Sequence, residues 1–272
     1  MKSKSIFLFF AAIILLLPTI TLAADKPAKS PSRKVWKLAW KDEFNGNKLN
    51  LKNWTRYTRD GKSDWDRHMS GLDSLCRVEN GVLQLWGINT PAGYKDEDNR
   101  PFLTGGVGSK GKRAVKNGRF EVRARYDCGE GFWPAIWLMP DIRIRHPFGG
   151  EVDIMEHLNN DNVVFQTVHT PHTLYKREPT IQHYVTVPIK KDEFNVYAVE
   201  LSDSEVTFYV NGEKTFTYKN QEPKLEGQFP FYHYPFYVIL SAQLGGSWVG
   251  NVGPQDLPVK MEIDYVRVYE RR

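Results

Sequence analysis

From about residue 35 onward the chain is a succession of short segments in which apolar and polar side chains alternate or apolar residues run together. Val82–Ile88, Arg119–Tyr126, Ala135–Met139, Val163–His169, Val196–Leu201, Val206–Val210 and Met261–Tyr269 are such segments, bounded by Gly, Pro, Asn or Asp. A period of two sends successive side chains to opposite faces, which is the signature of a strand. Asn211-Gly212 stands between Val206–Val210 and Lys214–Tyr218, and that dipeptide suits the positive φ angles of a two-residue hairpin turn. No long stretch carries a helical period. Many strands at short spacing without intervening amphipathic helices predict an all-β, antiparallel sandwich or barrel in a single domain over residues 35–272. Stretches 89–106, 140–150, 170–180 and 219–235 are expected as loops that build a site.

The amino-terminal pattern differs. Lys2 and Lys4 precede an apolar run from Ile6 to Leu17, followed by Pro18 and small residues through Ala23-Ala24. This reads as a secretory signal over residues 1–23, because the apolar run falls short of the roughly 20 residues that span a bilayer. Residues 24–34, rich in Lys, Pro and Ser, read as a linker. The two cysteines are Cys76 and Cys128, so no cysteine stands at the cleavage site to carry a lipid. The expectation is an exported protein, periplasmic or extracellular, with no membrane insertion.

With 272 residues, of which 41% are hydrophobic, the chain can bury a sizeable core and is neither collagen-like nor a small disulfide scaffold. Loss of residues 1–23 removes Lys2 and Lys4 and no acid, which takes the formal charge from +5 to +3. The densest basic runs, Lys110–Arg113 and Lys34 with Lys37, are short, and a nucleic-acid partner is not expected. No paired His or Cys spacing of a transition-metal site occurs, so no cofactor is expected for catalysis. A monomer is expected. Whether Cys76 and Cys128 pair stays open, since sequence does not give their separation.

The segment Gly149-Gly150-Glu151-Val152-Asp153-Ile154-Met155-Glu156-His157 places carboxylates among apolar residues in a strand-like run. On a regular strand Glu151 and Asp153 share a face and Glu156 points away. One extra residue at Ile154-Met155, a β-bulge, would return Glu156 to that face, and bulges often re-aim side chains beside active sites. Two convergent carboxyls, one ionised and one protonated, are what hydrolysis of a glycosidic bond with retention requires. Asp153 between them could hydrogen-bond the nucleophile and raise the proton affinity of the acid by like-charge repulsion. His157 follows Glu156 and should face the core. The competing reading is an exposed strand edge carrying unremarkable charges.

Glu151-Val-Asp153-Ile-Met-Glu156 resembles the catalytic motif of glycoside hydrolase family 16, in the bulged form of its laminarinase-like and agarase-like branches. Trp40-Lys-Asp42-Glu43-Phe44, Gly131-Phe-Trp133-Pro-Ala-Ile-Trp137 and Ile263-Asp264-Tyr265-Val-Arg267-Val-Tyr269 extend the resemblance along nearly all of the chain beyond the signal. It implies a concanavalin-like β-jelly roll with a concave substrate cleft. It also implies Glu151 as nucleophile, Glu156 as acid/base and Asp153 as their assistant, in a secreted retaining endo-β-glycanase acting on a polysaccharide.

A sugar cleft combines aromatic faces with planar polar groups. By similarity to the family, Trp133 lines the subsites beside the nucleophile. Gln243-Leu-Gly245-Gly246-Ser-Trp248 is similar to a glycine-bearing loop whose Trp stacks on a sugar, and His169 falls beside the acid/base carboxyl. Trp137 is expected to pack in the core. A structural calcium in relatives would correspond to Glu43, Asp264 and the carbonyl of Gly81. Ser63-Asp-Trp65-Asp-Arg67-His-Met-Ser70 replaces the Trp-Gly and Asn-Glu pattern of the glucan-cleaving branch, in the region that contacts non-reducing-side sugars, with Trp65 and Arg67 as the candidates there. The substrate is therefore either a β-1,3- or mixed-linkage glucan or a galactose-containing chain of the poly-lactosamine or mucin type. The alternative class is a carbohydrate-binding sandwich without turnover, which would not need both Glu151 and Glu156.

Overall fold

The computed structural model describes residues 36–94, 99–175 and 177–271, so the signal at 1–23 and the linker at 24–34 lie outside the described residues. In chain order the strands are β1 (Trp36–Asp42), β2 (Thr55–Arg56), β3 (Cys76–Glu79), β4 (Val82–Asn89), β5 (Phe102–Thr104), β6 (Gly106–Gly108), β7 (Ala114–Val115), β8 (Gly118–Tyr126) and β9 (Phe132–Pro140). They continue as β10 (Glu151–Glu156), β11 (Val163–His169), β12 (Tyr184–Pro188), β13 (Asn195–Leu201), β14 (Glu205–Val210), β15 (Glu213–Lys219), β16 (Phe236–Leu244) and β17 (Val259–Arg271). One four-residue α-helix, Pro171–Leu174, follows β11. Among the described residues no helix is long and apolar enough to cross a membrane.

The strands form two antiparallel sheets. A nine-stranded sheet runs β15-β14-β13-β8-β17-β4-β3, with β1 added on β17 and β5 on β4, and an eight-stranded sheet runs β12-β11-β10-β9-β16-β6-β2, with β7 on β16. The expected β-sandwich is the observed architecture, and the hairpin at Asn211-Gly212 joins β14 to β15 with φ angles of 51° and 86°. The strands that pattern reading passed over include β1, β3 and β12. The strand-like run that leads into Gln243 is β16, which is buried along its whole length. The expected loop 89–106 holds β5 and the start of β6, and 170–180 holds the helical turn.

Pleat parity explains the core. On β8, Phe120, Val122 and Ala124 point between the sheets, whereas Arg119, Glu121, Arg123 and Arg125 point outward. There Arg119 pairs with Glu121 and Glu200, Arg123 with Asp264 and Arg125 with Glu262, a ladder of partly covered ion pairs. The eight-stranded sheet has no such solvated face at its centre. Phe132, Ile136 and Leu138 of β9 and Val238, Leu240 and Ala242 of β16 enter the core, each fully buried large side chain contributing about 1.5–3 kcal/mol. The opposite parity, Ala135 and Trp137 of β9 with Tyr237 and Ile239 of β16, forms a separate buried cluster on the outer face.

The expected irregularity in β10 is present. Against β9 the pairing steps from Asp153↔Trp137 to Met155↔Ile136, and against β11 from Asp153↔Thr167 to Glu156↔Phe165. One additional residue is accommodated, and Ile154 and Met155 are both buried in the core. A bulge disrupts the ladder and leaves backbone groups to be satisfied elsewhere. Here the fully buried Gln166 donates from Nε2 to the Ile154 carbonyl at 3.0 Å. Its Oε1 accepts from Thr215 of β15, in the facing sheet. The bulge is thus tied to both layers.

Gln166→Met keeps the volume but orphans the Ile154 carbonyl, and should destabilise the domain by about 1–3 kcal/mol. A urea midpoint indistinguishable from that of the parent would show that the bulge does not depend on this amide.

Candidate active site

Glu151, Asp153 and Glu156 all face one cleft of about 490 Å³ on the outer side of the eight-stranded sheet, together with Trp133, Trp137, Trp65 and Gln243. The strand is aimed from its first residue. Gly150, at φ 78°, lets the chain turn into β10 where an added Cβ would lie 2.6 Å from the Phe231 ring, so only glycine fits this turn.

The carboxyls have divergent environments. Burial alone would raise the Glu151 carboxyl, but a hydrogen bond from His146 and the positive character of His169 and His146 outweigh it and hold the group below its usual range. His146 Nε2 lies 2.8 Å from Glu151 Oε2. Asp153 is buried and pushed well above the ordinary carboxylate range, first by burial and then by the adjacent Glu151 charge. It therefore holds a proton and can donate it in a hydrogen bond to Glu151. Glu156 is also raised well above its usual range, chiefly by burial, with the charges of Asp153 and Glu151 adding to it. The sequence reading ascribed that rise to charge repulsion; removal from water is the larger cause. Trp133 Nε1 donates to Glu156 Oε1 at 3.0 Å, which favours the ionised form and opposes the rise. One face thus presents an ionised carboxylate and a protonated carboxyl, a pair able to act as nucleophile and general acid.

Trp133 lines the same cleft as Glu151, and its indole N–H also serves the second glutamate. Its ring also meets Trp248 edge-on at 5.4 Å, and Trp248, 46% exposed, meets Phe165 at 5.1 Å. His169 pairs across from Glu151 in the β10–β11 ladder, its Nε2 stands 3.3 Å from Asp153 Oδ2, and it also lowers the proton affinity of Glu156. The Glu151, Asp153 and His169 head groups lie within 4.8 Å of one another. Gln243 is buried, donates to Ser241 at 2.8 Å and leaves its Oε1 without a partner beside the cleft. Trp137 corrects its expected place: it lies on the cleft side, bonded to Ser241 and packed edge-on against Trp65 at 5.0 Å. His157, as expected, is buried away from the cleft and bonds the Asp161 carbonyl.

Arg67 does not line the cleft. It is ion-paired with Asp64 in a neighbouring surface depression. Asp64 in turn accepts the Ser247 N–H at 2.7 Å, and Gly246 packs close against its side chain. The loop bearing Trp65 and the loop bearing Trp248 are thereby fastened at the rim. The residues named for a calcium are engaged with other partners. Both oxygens of Glu43 receive Arg267 at 2.9 Å, Asp264 is paired with Arg123 at 2.5 Å, and Gly81 forms the β3–β4 turn at φ 77°. Two guanidinium groups stand where a cation would have to compete. Cys76 and Cys128 are unpaired, and burial raises the Cys76 thiol to about 12.

Sequence reading missed His146, Tyr57, Tyr237 and Lys110, all of which line the cleft. Tyr237 shares strand parity with Gln243 and could have been found by counting back in twos along β16. His146 lies in the expected site-building loop 140–150, but nothing local marks its role.

The model of the family described as glycosyl hydrolases family 16 matches residues 73–267. A keratan-sulfate endo-1,4-β-galactosidase of Sphingobacterium multivorum is 34% identical over 86% of this chain, which spans 55% of that relative's length. The laminarinase of Rhodothermus marinus is 30% identical, with a TM-score of 0.78 over 88% of this chain and 99% of that one. A structure concerned with endo-acting O-glycanases that human gut microbiota express to initiate mucin breakdown is 33% identical, with a TM-score of 0.72 over 85% of this chain and 98% of that one.

Two outcomes follow from the electrostatics. Trp133→Phe removes a donor that favours ionised Glu156, so the alkaline limb of the kcat/KM profile should move to higher pH; a limb that stays or moves down contradicts the Trp133–Glu156 contact. Raised carboxyl affinities in the folded state mean stability fully present below the unfolded values and lost as pH rises through the folded ones. Asp153→Asn should therefore melt close to the parent near pH 4 and above it at pH 7, as read by calorimetry.

Proposed function

The chain belongs to glycosyl hydrolases family 16, and from that membership we propose that it is a retaining endo-β-glycanase. The observation that carries this reading is the bulge in β10, which puts an ionised Glu151 and a protonated Glu156 on one face of one cleft. In the first step Glu151 attacks the anomeric carbon while Glu156 gives its proton to the departing glycosidic oxygen. Protonated Asp153 hydrogen-bonds Glu151 and limits the charge that accumulates beside the sugar. In the second step Glu156, now a carboxylate, takes a proton from water that attacks the glycosyl-enzyme. The two inversions return the original anomeric configuration.

The substrate is a β-linked glucan or a galactose-containing glycan. The galactose reading is favoured by one feature of this chain: Trp65, from the segment that departs from the glucan-cleaving pattern, forms part of the cleft wall against Trp137 and Tyr57. The keratan-sulfate and mucin-glycan relatives lend support to it, and the laminarinase supports the glucan reading. The protein is proposed to act as an exported monomer, with no cofactor taking part in the chemistry.

Product analysis on laminarin, mixed-linkage glucan, agarose, keratan and mucin glycans should show internal cleavage of one class, with the β-anomer formed first by NMR. Glu151→Gln and Glu156→Gln should each abolish that cleavage while leaving the fold intact. Parental activity in both amides, or an initial α-anomer, overturns the assignment.

A further inference from the structure

Glu151 must present one oxygen to an anomeric carbon, yet the terminal torsion of a glutamate is broad and roughly two-fold. Something has to fix the carboxylate plane. Around it stand Asp153 and Glu156 of β10, His169 of β11, Tyr237 of β16, Lys110 and His146. His146 Nε2 stands within hydrogen-bond distance of Glu151, and Asp153 and His169 act on the same carboxylate from β10 and β11. Asp153 reaches Glu151 from two residues along the same strand, on the same face. His146 approaches from outside the sheet, with Nε2 2.8 Å from Oε2.

The loop that carries His146 is tightly folded. Phe148 N–H bonds the Arg145 carbonyl and Gly150 N–H bonds the Pro147 carbonyl, both at 2.9 Å. An added Cβ at Gly149 would meet Pro140 at 2.6 Å and Ile144 at 2.8 Å, so the loop is pressed onto the end of β9. The His146 side chain is nevertheless 43% exposed. It hangs from a rigid support into the cleft without filling the core, as a group that steers another would, and as a structural keystone would not.

We propose that His146 is a positioning residue, whose ring N–H pins Oε2 of Glu151 so that the other oxygen faces the sugar. The inference rests on Glu151 being the nucleophile. Misplacement of a reacting group by about 1 Å costs on the order of 10²-fold in rate, which sets the expected size of the effect. The ring neither touches the anomeric carbon nor exchanges a proton with the substrate. Beside its share in keeping Glu151 ionised, its contribution is the orientation of the carboxylate, so it should appear in kcat and not in KM. Glutamine places an amide N–H near the position of Nε2, so it should restore much of what alanine removes.

The test uses the full domain and the glycan that the parent cleaves best. His146→Ala should lower kcat by about 10²-fold with KM nearly unchanged, His146→Gln should recover at least about a tenth of the parental kcat, and added imidazole should partly rescue the alanine variant. Parental kcat in His146→Ala, or a loss confined to KM, overturns the proposal. So does a loss that neither glutamine nor imidazole restores. A second measurement needs no substrate: ring nitrogen spectra of 15N-histidine protein should show Nε2 of His146 carrying a hydrogen-bonded proton, a signature lost in Glu151→Ala. Spectra that Glu151→Ala leaves unchanged overturn it too. A parent inactive on every glycan would sink the proposed function, and the nitrogen spectra would then decide the His146 contact by themselves.

Discussion

The bulge that turns Glu156 to the face of Glu151 is met by a hydrogen bond between two buried groups, the Gln166 side-chain amide and the Ile154 carbonyl. A strand alternates its side chains, so two acids five positions apart cannot share a face unless the ladder slips by one residue. Slipping leaves a carbonyl without its partner in a core where an unmet acceptor costs about 1–3 kcal/mol. Gln166 meets that carbonyl, and because it also engages Thr215 across the sandwich, the position of Glu156 is set by packing between sheets as well as by its own strand.

The division of labour between the two glutamates then follows from surroundings rather than residue type. Glu151 sits where two histidines and a protonated aspartic acid stabilise its charge, and Glu156 sits where burial prevails and one indole N–H provides a modest counterweight. Neighbouring acids a few residues apart thereby hold opposite protonation states at the same pH. The outer face of the nine-stranded sheet makes the contrast plain. There the acids are matched with arginines, Glu43 with Arg267 and Asp264 with Arg123 among them.

Much of this was legible in the sequence because it rests on period two. The β8 and β11 segments, the Asn211-Gly212 turn and the parity conflict of Glu151 with Glu156 can all be read by counting residues. The least legible parts depend on spatial neighbours. Trp137 was expected in the core since burial of an indole looks the same from sequence whether it is in the sandwich interior or on a cleft floor. Arg67 went astray because Asp64, three residues earlier, captures it. His146 carries no local mark: what makes it noticeable is a loop that folds back onto the first residue of β10.

The bond from the Ser247 amide to Asp64 has a wider implication for how such a cleft can diversify. The segments bearing Trp65 and Trp248 come from distant parts of the chain, yet they are latched together at the cleft mouth. A length change in one would strain or break the latch unless the other changed with it. New substrate preferences are therefore more readily acquired by exchanging both segments as a unit than by altering either alone.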